Sequence, residues 1–267
     1  MKSSLQKRLL AAGLIGTLAF GASQVLASPY FKYDAAGLSG AGTVFNANSA
    51  AGTSSEHLFV SSPTTFAGAG WAQFTSLNDQ SAALLGSGYG VTGLYATFTL
   101  SLTYQAFSPG GFGLNNSFYS VDSFTFNLYR DAGAANTFTQ ANATAGTLAT
   151  VQNAGTDILL GSGTLVSAGS AGIINGTGTF LNVSTDFALN AIGQTYFFDP
   201  LPFYNLALAG FTSTGGAWLF NAGTGMASVG NAGGVVDFRN SVPEPGTLAL
   251  VGIALLGLAA RSRRSKQ

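Results

Sequence analysis

Between two hydrophobic ends, the chain alternates with a period of two. Over residues 93–107 the positions Leu94, Ala96, Phe98, Leu100, Leu102 and Tyr104 are apolar, while Thr97, Thr99, Ser101, Thr103 and Gln105 fall between them. Side chains on a strand point alternately to opposite faces, so this repeat gathers the apolar groups on one face and the hydroxyls on the other. Residues 121–130 repeat it with Phe124, Phe126 and Leu128, and residues 179–190 with Leu181, Val183, Phe187 and Leu189. Shorter runs of the same kind lie at 56–60, 71–77, 157–166, 195–198, 203–211, 217–220 and 235–238. Turn-forming clusters such as Ser108-Pro-Gly-Gly111 and Asn231-Ala-Gly-Gly234 separate them. No stretch of the body reads as a long amphipathic helix. This pattern predicts an all-β chain built as a single antiparallel β-sandwich of jelly-roll type. A lipid-facing outer-membrane barrel also alternates, but the uneven runs and the basic ending of the chain favour the sandwich.

The two ends read as addresses rather than as parts of the fold. Lys2, Lys7 and Arg8 precede an apolar run from Leu9 to Phe20, and Val25-Leu-Ala27 supplies the small residues that a signal peptidase prefers. Residues 1–27 are therefore expected to form a signal-peptide helix, with cleavage between Ala27 and Ser28. At the other end Ser241-Val-Pro-Glu-Pro-Gly-Thr247 leads into an apolar run from Leu248 to Ala260 and then into Arg261-Ser-Arg-Arg-Ser-Lys-Gln267. Pro243 and Pro245 lack an N–H and push Val242 and Glu244 towards an extended backbone, so this strip cannot be helical. At roughly 1.5 Å per residue the apolar run makes a helix of about 20 Å, a short transmembrane span against a hydrocarbon core of roughly 30 Å. Arg261, Arg263, Arg264 and Lys266 hold its far end on the cytoplasmic side, leaving the body outside.

The body is expected to be one β domain over residues 28–240. It keeps only three cations, Lys32, Arg130 and Arg239, against nine acids, a formal charge of −6. An acidic balance argues against nucleic acid as a partner. No cysteine is present, so neither a disulfide nor a thiolate metal site contributes. With no paired histidines, acidic calcium loop or phosphate-cradling glycine loop, no metal or cofactor is expected either.

Val242-Pro-Glu-Pro245, one short apolar helix and an arginine-rich end together resemble the PEP-CTERM sorting signal of exported proteins in Gram-negative bacteria that make exopolysaccharide. That resemblance implies processing by an exosortase near the Pro-Glu-Pro strip. It also implies a transient inner-membrane anchor, followed by release to the cell surface or extracellular matrix. A second likeness involves Gly88-Tyr-Gly-Val-Thr-Gly-Leu-Tyr95, the 124–130 strand with Asp131, Asp157-Ile-Leu-Leu-Gly-Ser-Gly-Thr-Leu165 and the run from Tyr196 to Tyr204. These are similar to the flocculation-associated PEP-CTERM proteins. The implied role is non-catalytic: a matrix component that holds cells in flocs or biofilm with exopolysaccharide, by sugar contact or self-association.

Catalytic residues are not expected. The single histidine, His57, has Glu56 beside it, but neighbours on a strand face opposite ways and cannot act as base and orienter. His57 reads as a surface residue at a strand start. Aromatic residues carry more signal. Gly193-Gln-Thr-Tyr-Phe-Phe-Asp-Pro-Leu-Pro-Phe-Tyr204 concentrates five rings beside two prolines that force a bend or an edge. Tyr196, Phe203 and Tyr204 are the candidate glycan contacts there, with core packing as the competing reading. A secreted carbohydrate-binding or carbohydrate-active sandwich is the alternative to the matrix protein.

Overall fold

The computed structural model describes residues 29–78, 89–174, 178–213 and 217–240. In chain order its elements begin with β1 (Phe31–Asp34), β2 (Val44–Ala47), β3 (Ser49–Ser62), β4 (Thr65–Asn78), β5 (Tyr89–Tyr104) and β6 (Ser117–Asp131). There follow β7 (Thr137–Thr139), β8 (Thr150–Gln152), β9 (Asp157–Ile174), β10 (Gly178–Asp186) and β11 (Ala188–Leu189). One helical turn, α1 (Gly193–Tyr196), precedes β12 (Phe197–Asp199), β13 (Leu206–Ser213), β14 (Trp218–Asn221) and β15 (Met226–Arg239).

The all-β expectation holds, but the jelly-roll sandwich does not. Eight strands, β3, β4, β5, β6, β9, β10, β13 and β15, pair antiparallel in that order, and β15 pairs back onto β3 with Glu56 opposite Val229 and Ser49 opposite Asp237. One sheet rolled into an up-and-down barrel thus buries the face that a second sheet was invoked to cover. Each long strand hydrogen-bonds its neighbours in the chain, so no crossover between two sheets is needed. Small inward residues make the closure possible. A Cβ on Gly70 would sit 2.6 Å from the ring of its cross-strand partner Phe98, and its absence lets that ring lie over the β4 backbone on the inner face.

The barrel is apolar inside and polar outside. Leu94, Ala96, Phe98, Leu100 and Leu102 of β5 are buried with Phe124 and Leu128 of β6 and with Leu181, Val183, Phe211, Val236 and Phe238. The outer face carries hydroxyl pairs that bridge strands, Thr99 with Thr125 and Ser101 with Ser123, both at 2.7 Å. A lipid-facing barrel has the opposite polarity, with an apolar belt outside. Here closure comes with the faces inverted.

Aromatic plugs shut both ends. At one end β1, β2 and β12 form a three-stranded sheet whose Phe31 and Phe197 meet Phe203 and Phe238, and Phe187 packs on the latter two. Phe238 is the hub, with centroids 5.5 Å from Phe31, 5.1 Å from Phe187 and 5.5 Å from Phe203. At the other end Phe66 stacks on Phe112 at 4.4 Å and meets Tyr119, Trp218 and Phe220 edge-on or tilted. Between β6 and β9 the chain crosses the outside of the barrel as a strap that includes the β7–β8 hairpin. Trp71 Nε1 donates to Thr139 O at 2.9 Å, and Phe138 packs on Trp71 and Tyr95.

Candidate functional site

The sorting residues Val242, Pro243, Glu244, Pro245, Arg261, Arg263 and Arg264 lie outside the described residues, as do Ala27 and Ser28. Among the described residues no helix is long and apolar enough to cross a membrane.

The expected glycan contacts are buried. Tyr196, Phe203 and Tyr204 all belong to the hydrophobic core. Tyr196 lies over Gly37, whose φ of +69° and missing Cβ let the ring approach the 35–43 loop. Phe203 packs in the plug, and the Tyr204 hydroxyl donates to Tyr30 O at 2.5 Å. The prolines do end β12, but the bend turns the rings inward, where they shut the barrel and offer no face to a sugar. The competing core reading describes these three residues.

Glu56 and His57 face opposite ways, as strand geometry demands. His57 is half-buried under the strap, where its Nδ1 accepts the Ala149 N–H at 3.2 Å, so it is a fastening point rather than a free surface residue. Burial holds its pKa below the ordinary 6.5, which keeps the accepting, neutral ring available. Ser55 and Ser228 fasten the same strap, accepting Ala141 N–H at 2.9 Å and Ala143 N–H at 2.8 Å.

Glu56 points into the lumen among Leu58, Phe66, Leu100, Tyr119 and Leu181, beside a cavity of about 20 Å³. Its Oε2 has no hydrogen-bond partner, nor has the buried Ser54 hydroxyl on the same face. Desolvation pushes the carboxyl from 4.5 up to about 8, so at neutral pH it is mainly protonated. A second cavity of about 50 Å³ is lined by apolar side chains including Phe74, Phe98, Phe124 and Phe238. Such voids hold little more than solvent molecules, far below the roughly 300–1,000 Å³ of a small-molecule site.

The acids Asp131 and Asp157 oppose each other across β6 and β9. They bind loop groups rather than a cleft. Asp131 accepts Gly133 N–H at 3.1 Å and Asn136 N–H at 2.8 Å, and Asp157 accepts from Asn136 Nδ2 at 2.9 Å.

The outer wall over β9, β10, β13 and β15 holds a concavity with polar walls, about 430 Å³. Pairing register sets its residues in rows. Ser170, Asn182, Gly210 and Val235 share one row, and Ser184, Leu208 and Asp237 share the next. One step further along the strands, Gly172 lies opposite both Phe118 and Phe180. A Cβ there would come within 2.5 Å of Phe180 and 3.0 Å of Phe118, so both rings lean together over bare backbone. Phe107, which is 76% exposed, continues the row at 6.4 Å from Phe118 with rings 20° apart. Phe180 lies 6.4 Å from Phe118 on the other side. Sequence reasoning missed these rings. The available signal was that Phe180 occupies a polar phase of its strand, out of step with Leu181 and Val183.

Residues 241–264 match the family model for the PEP-CTERM protein-sorting motif. No curated protein and no solved structure matches the chain. The narrower likeness to flocculation-associated proteins gains no support from these comparisons. The motif implies an exported, exosortase-targeted protein with a transient membrane anchor, and it follows directly on a closed barrel whose last strand ends at Arg239.

Proposed function

We propose that this is an exosortase-processed component of the cell surface or extracellular matrix that acts without catalysis in floc or biofilm formation with exopolysaccharide. The sorting motif at 241–264 carries this reading, because it implies export of the body with a transient membrane anchor. The barrel supports it in a second way. Its lumen is packed and plugged, and Asp131 and Asp157 are engaged by their own loop, which leaves the outer wall as the working surface. The enzyme alternative needs two carboxylates converging on an open cleft, as in glycosidases. Nothing in the arrangement of Asp131 and Asp157 favours it.

Deleting the gene is expected to leave cells dispersed while exopolysaccharide is still made, because the protein links that material rather than synthesising it. Purified protein added to the deletion strain should restore clumping. Mutant cells that have lost exopolysaccharide altogether would place the protein in synthesis or export and overturn the proposal.

A further inference from the structure

We propose that the outer wall over β9, β10 and β13 is a binding site for a neutral, pyranose-containing glycan, with Phe107, Phe118 and Phe180 as the stacking row and Ser170, Asn182 and Asp237 as hydrogen-bonding groups in the adjoining groove. The inference rests on the matrix reading and names the site through which it works.

A sugar ring has apolar C–H faces and a rim of hydroxyls, so it needs aromatic surface and hydrogen-bonding groups side by side. The wall supplies both on a rigid scaffold. The ring row and the Ser170–Asn182 row are two residues apart along β9 and β10, roughly 7 Å at about 3.3 Å per residue. Strand-borne groups keep their spacing without ordering a loop, which lowers the cost of binding. The groove's volume of about 430 Å³ falls in the range of small-molecule sites.

Charge selects among glycans. Among the described residues Asp237 is the one charged residue lining the groove, and Arg239 lies near enough to offset it. A uronate or sulfated chain would find no cationic clamp, and the body as a whole is acidic at −6. A protein partner fits less well than a sugar. Interface cores are depleted in serine, whereas Ser167, Ser170 and Ser184 line this groove. The glycine at 210 deepens it, since a Cβ there would lie 3.1 Å from Asn182 Oδ1.

Isothermal titration of the purified full-length protein in detergent with neutral glucose and mannose hexamers tests the site, with a galacturonate hexamer as the anionic comparison. Binding of a neutral hexamer is expected, weakened about tenfold or more by Phe118→Ala, Phe180→Ala or Asn182→Ala. Phe107 and Asn182 are exposed, so Phe107→Ala and Asn182→Ala fold normally and keep the test valid if a half-buried ring proves structural. No binding of either neutral hexamer, equal binding by these variants, or preference for galacturonate would overturn the inference. If the variants instead abolish a dimer seen by sedimentation, the wall is a contact between copies and the sugar site is wrong. Absent binding with clumping still restored by added wild-type protein sinks the site and spares the matrix role. Intact binding with normal clumping of the deletion strain does the reverse.

Discussion

Replacing Phe238 with alanine is expected to cost about 3–5 kcal/mol, the range for truncating a buried phenylalanine. A domain of this kind holds only about 5–15 kcal/mol in total, so the variant should sit near its unfolding threshold. The size of the effect follows from position. Phe238 belongs to β15 yet touches Phe31 and Phe197 of the plug, and it also lines the 50 Å³ cavity of the lumen. Its loss would join that cavity to a new one and detach the barrel wall from the sheet of β1, β2 and β12. Urea unfolding should show a lower midpoint with an unchanged slope. Phe107→Ala, on the surface, should shift stability by less than about 0.5 kcal/mol. A Phe238→Ala protein as stable as wild type would mean that the plug is not part of the cooperative unit.

A comparable effect is expected from pH acting on Glu56. The folded protein keeps this proton up to about 8, whereas an unfolded glutamate releases it near 4.5. Over that window the folded state binds more protons, so stability falls as pH rises: the contribution is complete below about 4.5 and lost by about 8. The span corresponds to roughly 3–5 kcal/mol. Tyr119 is the titratable group facing Glu56 in that cavity, and burial raises it further above neutrality, so it does not interfere. His57 acts in the opposite sense. Its neutral form contributes above the ordinary 6.5, and that contribution is lost as pH falls through its lowered value. Glu56→Gln isolates the buried acid. Between pH 5 and pH 8, wild type should lose several kcal/mol relative to this variant, measured by urea unfolding at each pH. Parallel curves for the two proteins would show that Glu56 is hydrated or paired in solution.

The strands that were legible from sequence are those with large apolar residues on one face. Residues 93–107 and 121–130 lie within or overlap β5 and β6 and point as their alternation says. The illegible parts are the small-residue stretches of long strands: 49–55 of β3, 65–70 of β4 and 167–174 of β9. Glycine, alanine and serine give no period, because their burial is decided by rings leaning over from neighbouring strands, as Phe98 of β5 does over Gly70. Without those stretches the strands looked short, and short strands of uneven length suggested two sheets. Closure of β15 on β3 joins residues some 180 positions apart and leaves no local mark.

The proposed site uses the chemistry expected from the sequence, but at another place in the chain. An aromatic platform was sought where rings are densest in sequence, at 193–204, yet density there reflects the plug. Rings on the outer wall are sparse in sequence and come together only when β6, β9 and β10 align Phe118, Gly172 and Phe180. The burial of Glu56 was illegible for a related reason. Alternation put it opposite to His57, but which of the two faced inward depended on which side of β3 the strap covers.

The claim on which everything else depends is that the barrel is delivered outside and released from its membrane tail. Intact mass of the protein recovered from culture medium tests it most directly. A chain beginning at Ser28 and ending within or just beyond Val242–Pro245 is expected, with the apolar run and the arginine-rich tail removed. Protein in the medium that still carries residues up to Gln267, or that still carries Met1 to Ala27, would contradict it.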